Sequence, residues 1–276
     1  MPAPFVHLHA HSEYSLLDGS IKVADLVRRA KELDMPAVAL TDHGNMHGAI
    51  HFYRAAKKAG IKPIVGMEAY ITRGSRHDRG RKKGEPSTTD HLILLARNLE
   101  GYHNLVKLSS IAFLEGFYYK PRIDFEVLAA HSAGLIGTTA CLRGTVAQAA
   151  LGEGFDQAVT AALRYRDIFG DGNFYVEMQD HGLEPQKQLN EIYRRLAQHT
   201  GLPMTISNDV HYLGKDDADA HEVWLSAIFD FYTEDFAADG KPQGLIEYVN
   251  RYRSAPIDLG LAVKFMPYDW TLNRQP

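Results

Sequence analysis

The chain has 276 residues, 45% of them hydrophobic and 23% charged, a composition that fits a folded globular protein and excludes a disordered one. A net charge of −4 removes the overall basic footprint of a nucleic-acid binder, so any such contact must come from a local patch. The single cysteine, Cys141, excludes an internal disulfide, and no apolar run reaches the ~20 residues of a membrane span; with no signal peptide at its start, the chain reads as cytoplasmic.

Short β-rich runs alternate with helical patterns from the start. Strands are predicted at 5–9 (FVHLH), 37–41 (AVALT), 63–71 (PIVGMEAYI) and 91–96 (HLILLA), then at 134–140 (GLIGTTA), 173–179 (NFYVEMQ) and 202–207 (LPMTIS). Between the first two, SIKVADLVRRAKEL has apolar residues at helical spacing, with Ser20 as the expected N-cap. Strand, helix, strand predicts a parallel sheet. Seven such strands without a charge-rich break favour a single closed or nearly closed barrel, with an open doubly wound sheet as the alternative.

Barrel enzymes build their sites at the C-terminal strand ends. The first strand ends in His9 and His11, the second in Asp42 and His43, and the third carries Glu68. The fifth runs into Cys141 and the seventh into Asp209 and His211. Residues two apart on a strand share a face, so His9 with His11, and Asp209 with His211, each form a two-toothed chelate. His91 is the exception, because it opens the fourth strand and enters from the wrong end. Taken singly, each has a bland reading: a hydrogen-bonded histidine, a solvated acid, a small buried thiol. Together, imidazole, carboxylate and thiolate are a ligand set for zinc, manganese or iron, and so many donors imply more than one ion.

The strings HAHSEYSLLDG, ALTDHGNMHGAIHFYRAAKKAGIKPIVGMEAYI, TTACLRG and SNDVHYL resemble the polymerase and histidinol phosphatase (PHP) superfamily over residues 5–225. Within it they are most similar to the N-terminal PHP domain of bacterial DNA polymerase III alpha subunits. The resemblance implies an α/β fold, a distorted seven-stranded (β/α)7 barrel, with three divalent metal ions (Zn, Mn or Fe) at its mouth. It carries nine ligands onto His9, His11, Asp18, His43, Glu68, His91, Cys141, Asp209 and His211. One ion would take His9, His11, Glu68 and Asp209; a second would share Glu68 and add His91 and Cys141; a third would take Asp18, His43 and His211. His7 is left as a supporting or packing residue on the same strand face.

The implied reaction is 3′-to-5′ exonucleolytic hydrolysis at the 3′ end of DNA, a proofreading step in which His9, His11, Glu68 and Asp209 serve catalysis and replisome subunits are the partners. Arg143, two residues beyond Cys141, is the candidate phosphate holder. Two other readings stand beside it: a small-molecule phosphoesterase of the histidinol-phosphate type, and a non-catalytic structural module. The basic run RGSRHDRGRKK, 73–83, with six Lys or Arg against one Asp, is read as a solvated loop, with backbone tracking as the sharper alternative. Residues 226–276 match no family pattern, carry no polymerase catalytic domain, and are expected to pack on the barrel through their aromatics.

Overall fold

The computed structural model describes residues 5–80 and 89–225. The predicted C-terminal segment, 226–276, and the last three residues of the basic run lie outside the described residues. In chain order the elements are α1 (Val23–Glu32), β1 (Ala37–Leu40), α2 (Ala49–Ala59), β2 (Lys62–Thr72), β3 (Thr89–Ala96), α3 (Leu99–Leu114), β4 (Arg122–Ile123) and α4 (Phe125–Ala130). There follow β5 (Leu135–Thr138), α5 (Thr145–Gly152), α6 (Phe155–Phe169), β6 (Phe174–Met178), α7 (Glu184–Thr200) and β7 (Met204–Ile206). The strands lie in the order β1-β2-β3-β5-β6-β7, with β4 paired to β2.

The predicted first strand is not regular. Residues 8 and 9 form a bend, yet the segment still closes the sheet on itself through backbone hydrogen bonds. Ala39 and Thr41 donate to the carbonyls of His7 and Ala10 on one side, and His11 donates to Val210 and Val210 to His9 on the other. The result is a distorted (β/α)7 barrel.

The sheet is not uniformly parallel, which corrects the sequence reading. β3 runs antiparallel to both β2 and β5, with Thr72 at the end of β2 paired to Thr89 at the start of β3. That reversal removes the objection to His91. The start of β3 lies beside the C-terminal end of β2, with His91 opposite Tyr70 and Ile93 opposite Glu68.

Alternation then sorts the side chains. Met67, Ala69, Ile71, Leu92 and Leu94 point outward into the core under the helices, while Ile93, Leu95, Ala39 and Ala140 fill the barrel behind the mouth. Glu68, Tyr70 and His91 share that inward face, next to the mouth.

One further reading is corrected. Ser20 does not cap α1: Lys22 holds the N-cap position with no side-chain bond, and the Ser20 hydroxyl donates to the His211 carbonyl at 3.0 Å. The described part of the basic run is mostly exposed, and two of its arginines brace it: Arg73 bonds Asp90 and Glu153 while Arg76 reaches Glu115, Asp124 and Glu126.

The bend also breaks the alternation that placed His7 with His9 and His11. His7 is buried beside Phe5, their rings 4.9 Å apart, and neither ring nitrogen has a hydrogen-bond partner. Burial lowers its pKa to about 3 from an ordinary 6.5. Between those values the unfolded chain holds a proton that the folded chain rejects, so stability is intact above pH 6.5 and falls as the pH drops toward 3, by up to about 1.4 kcal/mol per pH unit. His7→Leu is expected to flatten that slope, read from urea midpoints at pH 7.5 and pH 5; an unchanged difference between the two would contradict it.

Candidate metal centre

The segment around His11 is anchored before any ligand is considered. Buried Asp42, just past β1, accepts from the Ser12 amide at 2.7 Å, the Ser12 hydroxyl at 2.9 Å and the Ser15 hydroxyl at 2.8 Å. Ser15 Oγ in turn lies 3.1 Å from His11 Nδ1 and accepts from the His43 amide at 3.1 Å. His11 and His43 are thereby set in place, and each presents Nε2 to the mouth. Two residues of the site, Asp209 at φ 45° and Ala140 at φ 57°, occupy the left-handed region, a strain of about 1–2 kcal/mol that surrounding contacts must hold.

Nine donors assemble there. Asp209 Oδ1 lies 3.0 Å from His9 Nε2 and 3.1 Å from His11 Nε2, and these two nitrogens are 3.1 Å apart. Glu68 is central: its oxygens lie 3.4 Å from His9 Nε2, 3.9 Å from His11 Nε2 and 3.0 Å from His91 Nδ1, and touch His43 Nδ1. Asp18 Oδ2 is 3.1 Å from His43 Nε2 and 3.8 Å from His211 Nε2, which themselves stand 3.4 Å apart. Cys141 Sγ reaches His91 Nδ1 at 3.6 Å and Glu68 Oε1 at 4.0 Å.

Three overlapping groups of close donors result: His9, His11 and Asp209; His43, Glu68 and His91; and His11, His43 and His211. The grouping differs from the expected allotment in all three groups: Glu68 is absent from the first, His43 stands in place of Cys141 in the second, and His11 in place of Asp18 in the third. His43 stands between Glu68 and Asp18 and belongs to two groups, whereas Cys141 sits at the edge of the second.

These residues fit a set of cations. Asp209 Oδ1, Glu68 Oε2, His43 Nδ1, His91 Nε2 and Asp18 Oδ1 are buried without a hydrogen-bond partner, although several lie within contact distance of one another. The atoms crowd together off the lines along which N–H groups donate. Two donors each about 2.1 Å from one ion stand roughly 3.0–3.4 Å apart, which is the spacing found here.

The electrostatics couple these groups tightly. Burial pulls the His43 pKa down, but Glu68 and Asp18 outweigh it and raise it to about 10. Burial and the neighbouring His43 and His211 lower His11 to about 3. Burial opposes ionisation of Glu68 and Asp209, yet the histidines hold both well below the ordinary carboxylate range. Burial, then Glu68 and Asp209, push the Cys141 thiol well above its usual value.

The sequence profile of the PHP domain family matches residues 7–181. This chain belongs to the PHP domain family. It is 48% identical over 231 residues to a DNA polymerase III subunit alpha of Deinococcus radiodurans, which covers 82% of this chain and 17% of the relative. The proteins of the same name from Borreliella burgdorferi and Thermus aquaticus are 47% and 48% identical, over 79% and 80% of the chain. The PHP chain thus spans 17–19% of the length of these relatives. An amidohydrolase from Chromobacterium violaceum, solved with sulfate and no metal, shares the fold at a TM-score of 0.50 and 16% identity, over 76% of this chain and 89% of that one.

Within this PHP domain the structure adds a residue that sequence reading missed. Glu177, on β6, is buried and takes His9 Nδ1 at 2.8 Å, supported by the hydroxyls of Thr138 and Ser207 and by Gln179 at 2.8 Å. It fixes the His9 tautomer with Nε2 facing the mouth. The only available signal was an acid on the inward face of a predicted strand. Glu177→Gln keeps the shape and removes the charge, so metal affinity is expected to fall about 10- to 100-fold, measured by competition with a chelator. Equal affinity would show that Glu177 only packs.

Arg143 is exposed. Its carbonyl accepts from the His91 amide at 2.9 Å, which holds its loop against the start of β3.

Proposed function

We propose that this PHP domain is a metal-dependent phosphoesterase that removes nucleotides from the 3′ end of a DNA strand. The observation that carries the reading is the convergence of five imidazoles, three carboxylates and a thiol on one mouth, with buried oxygens and nitrogens left unpartnered. His9, His11, Glu68 and Asp209 would hold one ion, His91, Glu68, His43 and Cys141 a second, and Asp18, His43 and His211 a third. Zinc, manganese and iron all suit these donors. When bound, such ions would lower the pKa of water toward about 7 and offset the charge of the phosphate undergoing transfer.

The chain's own residues position the rest. Glu177 orients His9, Asp42 and Ser15 orient His11 and His43, and Arg143 holds a phosphate oxygen at the rim. In the reaction, a water oxygen bonds to phosphorus, the bond from phosphorus to the 3′ oxygen of the penultimate nucleotide breaks, and that oxygen takes a proton. A nucleoside 5′-monophosphate leaves. Identity with polymerase alpha subunits supports a DNA end as the substrate and a replisome as the setting.

The test is release of mononucleotides from a 3′-mispaired primer in Mn²⁺ or Zn²⁺, comparing the parent with His11→Ala and Asp209→Ala. Release that both substitutions abolish supports the reading. A parent inactive on the primer but active on histidinol phosphate would assign the site to small phosphomonoesters.

A further inference from the structure

One loop at the mouth carries chemistry that holding metal ions does not require. Residues 116–121 run into β4, which pairs with β2 at Tyr70, so the loop lies against the site. Pro121 packs on the turn beside His43: a Cβ at Gly44 would stand 2.8 Å from its ring. Lys120 Nζ lies 4.3 Å from the centre of the Tyr70 ring, which is itself 5.3 Å from His91 and 6.0 Å from His43. Among the described residues no carboxylate pairs with Lys120. Arg143 is close enough to act on both Lys120 and Tyr70 electrostatically, as are the site carboxylates Glu68 and Asp18, so two cations stand at the edge of the mouth next to its acids.

The loop is rigid at its base. Buried Arg122 donates to the carbonyls of Gly116, Arg76 and Asp78, and the Tyr118 amide donates to the Lys120 carbonyl at 3.1 Å. At its tip Tyr119 is 79% exposed and has φ 59°, a conformation that suits Gly or Asn and penalises an aromatic residue. The Tyr118 ring stands against it edge-on, 4.6 Å between centres. Folding gains little from a tyrosine there, since its ring is mostly in water. Strain of this kind, beside an unpaired cation at a reaction site, points to a ligand with a flat apolar face next to a negative charge.

We propose that Tyr119 and Lys120 form a subsite for a nucleotide end, in which the Tyr119 ring stacks on an unpaired terminal base of a DNA strand while Lys120, with Arg143, holds the adjoining phosphate. This rests on the phosphoester reading of the metal centre and narrows it. Every base offers a π face to an aromatic ring, so the subsite accepts any unpaired end regardless of sequence, whereas a small phosphomonoester without a ring gains nothing from it. A base still paired in the duplex is less available for stacking, so frayed mispaired ends are preferred.

The experiment measures binding of a fluorescein-labelled oligo(dT) with a phosphorothioate-protected 3′ end, by anisotropy, to the full chain in Mn²⁺. Tyr119→Asn retains the left-handed backbone and removes the ring; it is expected to weaken binding about tenfold or more, while Tyr119→Phe binds like the parent. Lys120→Gln is expected to reduce the salt slope of binding by about 0.7. Parent-like binding by Tyr119→Asn overturns the subsite. Hydrolysis of bis(p-nitrophenyl) phosphate by the parent tests the metal centre separately, so a chain that cleaves this ester yet binds oligo(dT) independently of Tyr119 retains the centre and loses the subsite.

Discussion

Glu68→Gln is expected to abolish phosphoester hydrolysis, with a loss greater than the roughly 10- to 100-fold that follows removal of an outer hydrogen-bond partner. Glu68 lies on the inward face of β2, fully buried, and its two oxygens reach His9, His11, His43, His91 and Cys141. An amide of the same shape offers one neutral oxygen and an N–H₂ group that cannot ligate, so the two ions proposed to share Glu68 would both be held more weakly. Rates on the mispaired primer and the metal content of the dialysed protein check it. A variant with parental rate and parental metal content would remove Glu68 from the chemistry.

Chelation should have the largest effect on stability. Without cations, the fold holds buried carboxylates and crowded imidazoles whose pKa values are driven apart, His43 up to about 10 and His11 down to about 3. A ligand present at a thousand times its Kd stabilises the state that binds it by about 4 kcal/mol per site. For a chain of this length each kcal/mol is worth about 2–4 °C, so restoring Mn²⁺ or Zn²⁺ to chelated protein should raise Tm by roughly 10 °C or more. Differential scanning calorimetry decides it, and identical melting with and without metal would mean that the mouth binds none.

The parts of this account that were legible in the sequence are those with local period. His9 with His11, and Asp209 with His211, stand two residues apart at strand ends, and alternation alone brings each pair to one face. Seven β-rich runs pointed to a barrel. What could not be read depended on contacts far apart in the chain. The place of His91 was obscured because the direction of β3 is fixed by its pairing with β2 and β5, not by its own residues. Ser20 resembles a cap, but its hydroxyl finds the carbonyl of His211 across 191 positions of sequence. Glu177 is a lone strand acid until the barrel closes and His9 comes within 2.8 Å. His7 was misplaced because a bend at residues 8 and 9 interrupts the alternation that would have kept it with its neighbours. The strings shared with the family supplied the role of Asp18, which lies at no predicted strand end.

The most direct test of the central claim is elemental analysis of the dialysed full-length chain paired with mononucleotide release from the same sample. More than one equivalent of divalent metal per chain is expected, with release that a chelator stops and added Mn²⁺ or Zn²⁺ restores. A folded chain that takes up no metal from either ion and leaves the primer intact would contradict it.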